Sequence, residues 1–226
     1  MSDVPTDLRC PRCLREAQPP NLRTTRWCCA EHGEIAPLHR AVTAAPDTVS
    51  QLAARSQVPV WLPWPLPTAW LLTGVQVAGD DHSGWLATVV ALSGPNPLFT
   101  TDRPTPLDAD LLVVAEQPGT GLGARLAGIA DVDPGPALTA AMTGSGPHAT
   151  IEAAGHAVPL WSVPAGPSRD GDRAVYVGEA ASVWLWLIAL PAEAGAIVLE
   201  DLRMVDLRAP EHALDLPTGA PSRHLG

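Results

Sequence analysis

Two pairs of metal-ligating residues, each closed by a two-residue gap, constrain the start of this 226-residue chain more than any other feature. The first is Cys10-Pro11-Arg12-Cys13. The second, fifteen residues on, is Cys29-Ala30-Glu31-His32, with Gly33 behind it. Zinc takes four sulfur or nitrogen ligands in a tetrahedron, and two tight turns that each deliver two ligands supply it. Backbone N–H groups in such a turn point at thiolate sulfur, and Gly33 permits the positive φ that the turn often requires. Four ligands leave no open position for water, so a closed, structural site with one zinc per chain is expected. Cys28 is the competing ligand. It would leave a three-residue gap to His32, whereas Cys29 repeats the spacing of the first pair.

Residues 8–40 hold every cysteine and few apolar side chains, so this ribbon needs the metal to fold. Residues 41–68 are expected to form a short helix over PDTVSQLAARSQ, with Asp47 at its start, and then a connector. In the connector Pro59, Pro63, Pro65 and Pro67 forbid helix and interrupt any sheet ladder. Its Trp61 and Trp64, with Trp70 just beyond, are expected to pack onto the body, because a large exposed apolar patch is costly.

From residue 69 the texture is that of strands. WLLTGVQVAG and GWLATVVALS flank the polar turn Asp80-Asp81-His82-Ser83, which predicts a hairpin. DLLVVAE, HATIEAA, VPLWSV, AVYVG and VWLWLIAL complete at least seven strand candidates. The expected fold is therefore mainly β with few helices: an N-terminal zinc ribbon followed by a β-rich globular domain over 69–216. If PAEAGAIVLEDL is an α-helix, the class becomes α+β. Residues 129–147, rich in Gly, Pro and Ala, are expected to be a mobile loop, and 217–226 a flexible tail.

A glycine loop follows the DLLVVAE strand. Its Gly119, Gly121 and Gly123, with the charge of Arg125, make a candidate cradle for a small anion. The dinucleotide fingerprint is incomplete, since Ala124 stands where a third spaced glycine belongs and no βαβ unit follows. Asp80, Asp81 and His82 could bind a metal, but polar residues are normal in a hairpin turn. His148 and His156 flank a strand and carry the same ambiguity. No nucleophile elbow exists; Gly144-Ser145-Gly146 lies in the expected loop.

All fourteen basic residues are Arg, which excludes Lys-based Schiff-base and phosphate-loop chemistry. Net charge is −10, and residues 41–226 hold eight Arg against nineteen acids. An acidic body repels phosphate backbones, so nucleic acid is not the expected partner. The polar start MSDVPTDLRC has no secretory apolar region, and the most apolar run, 182–190, is far too short to span a membrane. Clustered thiols then suggest a reducing, cytoplasmic setting. Two functional readings follow: a non-catalytic binding or adaptor protein with an unidentified protein partner, or an enzyme or sensor taking a small anionic ligand at the glycine loop.

The segments CPRC, WCCAEHG, VPVWLPWPLP, WLLTGVQVAGDD, EQPGTGLGARLAG and WLWL resemble an uncharacterised actinobacterial family known only as a domain of unknown function. The resemblance covers nearly the whole chain. It implies an N-terminal zinc ribbon, a cytosolic protein and Cys29 as the ligand, and it adds no activity or catalytic residue.

Overall fold

The computed structural model describes residues 8–22, 24–98, 108–166, 172–209 and 216–225. The ribbon contributes β1 (Cys28–Cys29) and β2 (Gly33–Glu34), a two-stranded antiparallel pair. Then come α1 (Pro46–Ala54), β3 (Trp61–Pro63), β4 (Leu71–Asp80), β5 (Gly84–Pro95) and β6 (Asp108–Glu116). Two short helices follow, α2 (Leu122–Ala127) and α3 (Gly135–Gly144). Strands β7 (Ala149–Ala153), β8 (His156–Val163), β9 (Ala174–Ala180), β10 (Val183–Leu190) and β11 (Arg203–Asp206) complete the main sheet.

Nine strands form that sheet in the order β3-β11-β7-β8-β9-β10-β6-β5-β4, and it curls as a half-barrel. Every pairing is antiparallel except that of β11 with β7. The protein is thus mainly β. Two interior strands, β6 and β10, show why DLLVVAE and VWLWLIAL are apolar without alternation. Along β6, Leu111, Val113 and Ala115 enter one core, while Leu112 and Val114 enter another on the opposite face. Side chains of β10 divide in the same way, with Leu185 and Leu187 on the first face and Trp186 and Ile188 on the second. A strand covered on both faces has no reason to carry polar residues.

The first face is covered by α1, through Val49 and Ala53, and by a 3-10 helix, Ala192–Leu199. PAEAGAIVLEDL therefore supplies no α-helix, and the α+β alternative falls away. Trp61 and Trp70 are buried in this core and Trp64 packs against it. Residues 61–63, expected in a connector, are instead an edge strand against β11. Pro63 is tolerated there because an edge strand has one side that needs no donor.

The second face is covered by α2, by Leu138 of α3, and by Leu14, Ala36 and Leu38 from the N-terminal part of the chain. Two expectations are corrected here. Within 129–147, read as a mobile loop, Pro136 stands in the first turn of α3, and alanines inside it sustain the helix. The tail, read as flexible, lies along β4: Thr218 bridges Leu72, and Leu225 is buried in the second core. Residues 37–42 also pair with β4 through Leu38 to Ala78 and Val42 to Val75. Together these two segments cover the β4 edge, which otherwise offers unpaired backbone groups to other chains.

Candidate metal centre and its docking loop

The two sequence pairs meet in space. One ligand atom from each of Cys10, Cys13, Cys29 and His32 lies within 4.8 Å of the others, and among the described residues no other such group occurs. Cys10 Sγ is 3.6 Å from His32 Nδ1, Cys29 Sγ is 3.7 Å from the same nitrogen, and Cys13 and Cys29 sulfurs are 3.7 Å apart. Zinc–sulfur bonds of about 2.3 Å and zinc–nitrogen bonds of about 2.0–2.1 Å place tetrahedral edges near 3.8 Å for S···S and 3.6 Å for S···N. The observed separations fit those edges. They are far longer than the ~2.05 Å of a disulfide.

Each pair is a tight turn of the same kind. In the first, backbone N–H groups of Arg12 and Cys13 point at the Cys10 sulfur; in the second, those of Glu31 and His32 point at Cys29. The residue after each pair is left-handed: Leu14 at φ 62° and Gly33 at φ 69°. Glycine adopts that conformation freely, whereas Leu14 bears a steric cost of roughly 1–2 kcal/mol. Its side chain packs against the second core, which offsets the cost and ties the turn to the sheet.

The thiols differ. Burial pushes Cys10 up to about 11 against the N–H groups that favour its thiolate. Burial also acts to raise Cys29, but the Glu31 N–H and the His32 side chain outweigh it and bring the thiol down to about 6. Cys28 stands outside the cluster, with its sulfur 3.6 Å from the Arg26 carbonyl and 3.7 Å from Thr24 Oγ1. The ribbon's own core is small: Leu8, Ala17 and Trp27, with Ile35 against them.

The glycine loop is brought against the ribbon. Arg12, between the two cysteines of the first turn, donates through Nε to the Thr120 carbonyl at 3.3 Å and through Nη2 to the Gly119 carbonyl. Arg125 donates from Nε to the Pro11 carbonyl at 2.7 Å. The amides expected to hold an anion are taken from within. Gly119 N–H donates to Asp133 at 2.8 Å, and the N–H groups of Leu122 and Gly123 donate to Glu116 Oε2 at 2.8 and 3.1 Å. Gly121 sits at φ 81° beside the Arg12 side chain, and a Cβ on Gly123 would stand 2.3 Å from the Trp186 indole nitrogen. These glycines serve a turn, a docked arginine and a close helix-to-strand contact.

Sequence reasoning missed Glu116, which is fully buried at the end of β6 beneath the loop. An acid closing an apolar strand was the available signal. Burial pushes its carboxyl up to about 7, although the two loop N–H groups favour the carboxylate. Asp80 has a plain role in the β4–β5 turn, where Oδ1 accepts from the N–H groups of His82 and Ser83. His148 packs its ring on Tyr176, and neither it nor His156 joins a ligating group. A cleft of about 620 Å³ lies between ribbon residues 25–27 and 34–36 and the body, where His82, Leu86 and residues 117–120 of the glycine loop line it.

The chain belongs to a family of unknown function, DUF6758, whose model matches residues 4–225. Comparison with curated proteins gives no match, and neither does comparison with solved structures. Among the described residues no helix is long and apolar enough to cross a membrane.

Proposed function

We propose that this member of the family is a zinc-stabilised, non-catalytic binding or adaptor protein. One structural zinc ion on Cys10, Cys13, Cys29 and His32 folds the N-terminal ribbon and fastens it to the half-barrel. The observation that carries the reading is the cluster itself: four ligand atoms within 4.8 Å of one another, three of their separations at zinc-like edge lengths, delivered by two matching turns. Sulfur and imidazole donors select zinc over magnesium or calcium, which prefer oxygen. Four protein ligands leave the metal no position for substrate, so it supplies folding energy and no bond chemistry. The cleft between ribbon and body is where a partner would engage both parts, and thiolate ligands suit a reducing, cytoplasmic compartment.

The small-anion alternative has less support, because the loop's amides are already bound by the chain's own carboxylates. Chelation tests the proposal. Stripping the metal should release one zinc per chain and make only residues 8–40 protease-sensitive, leaving a cooperative transition for the body. Loss of that whole transition would mean that ribbon and body fold as one unit. No zinc in the purified protein would remove the reading.

A further inference from the structure

We infer that Glu116 is a proton-operated catch for the ribbon: its neutral form keeps the glycine loop seated to receive Arg12, and its ionised form loosens that seat. This rests on the reading of residues 8–40 as a metal-bearing module, because Arg12 lies between two of the clustered cysteines. The geometry is a single chain of contacts. Glu116 Oε2 holds the N–H groups of Leu122 and Gly123, which fixes the start of α2. The same loop presents the Gly119 and Thr120 carbonyls to Arg12, and α2 presents Arg125 to the Pro11 carbonyl.

The carboxyl group is not balanced as an anion. Oε1 is buried without a hydrogen-bond partner; the Trp186 indole N–H lies near enough to favour the carboxylate, but it brings no charge. Its cross-strand neighbours, Ala87 on β5 and Trp184 on β10, carry no charge. From the segment before α3 comes Asp133, of the same sign. The nearby cations are Arg12 of the ribbon and Arg125 of α2, which bind backbone carbonyls. A buried charge so placed is relieved by water, and water reaches it only if the loop lifts.

The sign follows from the raised carboxyl. Its ordinary value is 4.5 and burial takes it to about 7 in the folded protein. Its contribution to the seated state is therefore fully present below pH 4.5 and lost as pH rises through about 7. The neutral acid keeps Oε2 as an acceptor for both N–H groups and needs no counter-charge.

The experiment follows hydrogen-exchange protection of residues 119–125 in the full-length, zinc-assayed protein from pH 6 to 8.5, for wild type and Glu116→Gln. Protection, corrected for the intrinsic exchange rate, should fall about tenfold in the wild type with a midpoint near pH 7, and protease cleavage of the ribbon should rise in parallel. Glu116→Gln should hold protection level across the range. Equal pH slopes in the two proteins, or a flat wild type, overturn the inference. Should Glu116→Gln not fold, Asp133→Asn decides: a lower midpoint supports the catch, and an unchanged one overturns it. Zinc content is read separately, so a metal-free protein would refute the zinc reading while the loop profile still reports on Glu116.

Discussion

Arg125 and Pro11, 114 positions apart, are joined by a 2.7 Å hydrogen bond from the guanidinium Nε to the proline carbonyl. Pro11 lies between Cys10 and Arg12, so this bond ties the first ligand turn to α2. With Arg12 on the opposite course, from ribbon to loop, it makes a reciprocal clasp between the Cys/His ribbon and the sheet.

Removing one half of the clasp should loosen the ribbon without emptying the metal site. A hydrogen bond from a charged donor contributes about 1.5–3 kcal/mol. Arg125→Ala should therefore raise the rate of limited proteolysis within residues 8–40 by roughly tenfold or more, since 1.4 kcal/mol is tenfold. Zinc content should stay at one per chain. An unchanged cleavage rate would show that the clasp does not hold the ribbon.

The C-terminal segment should be released by acid. Asp110 on β6 accepts from Ser93 Oγ and faces His224 Nε2 at 3.3 Å, which holds the last residues of the strap against the sheet. Burial alone would raise the Asp110 carboxyl, but His224 and Ser93 outweigh it and hold the group below its ordinary 3.8. A depressed carboxylate gives stability that is present above the unfolded value and lost as pH falls through the folded one. Asp110→Asn should cost about 1–3 kcal/mol at pH 6, and the gap from wild type should close below the carboxylate range. Denaturant titrations at both pH values read this directly. A gap that persists in acid would show that the charge is not what anchors the strap.

What was legible in the sequence was what is local. The two ligand turns are each four residues long, so spacing alone exposes them, and the strand runs are recognisable because β6 and β10 are apolar on both faces. The clasp was hidden because Arg125 reads equally well as an anion anchor until Pro11 is placed beside it. Glu116 was hidden for the same reason: its donors come from a loop that reads as open. Helix α3 was lost to composition, since Gly, Pro and Ala mark a loop on average, although Pro136 in its first turn and alanines within it suit a helix. The β9–β10 turn uses Ala181 and Ser182 at φ 54° and 62° where glycine or asparagine would have announced it. The strap from 216 is held by sheet contacts made to residues more than a hundred positions away, which no window of sequence contains.

The central claim is that Cys10, Cys13, Cys29 and His32 hold one zinc ion, and the adjacent cysteines provide its sharpest test. Cys29 lies in the cluster with its sulfur 3.7 Å from Cys13 and from His32, whereas Cys28 faces Thr24 and the Arg26 carbonyl. The measurement is zinc per chain after dialysis against a weak chelator, for wild type, Cys28→Ser and Cys29→Ser. The account predicts one zinc for the wild type and for Cys28→Ser, and loss of the metal from Cys29→Ser. Loss from Cys28→Ser with retention by Cys29→Ser, or no zinc in any of the three, would contradict it.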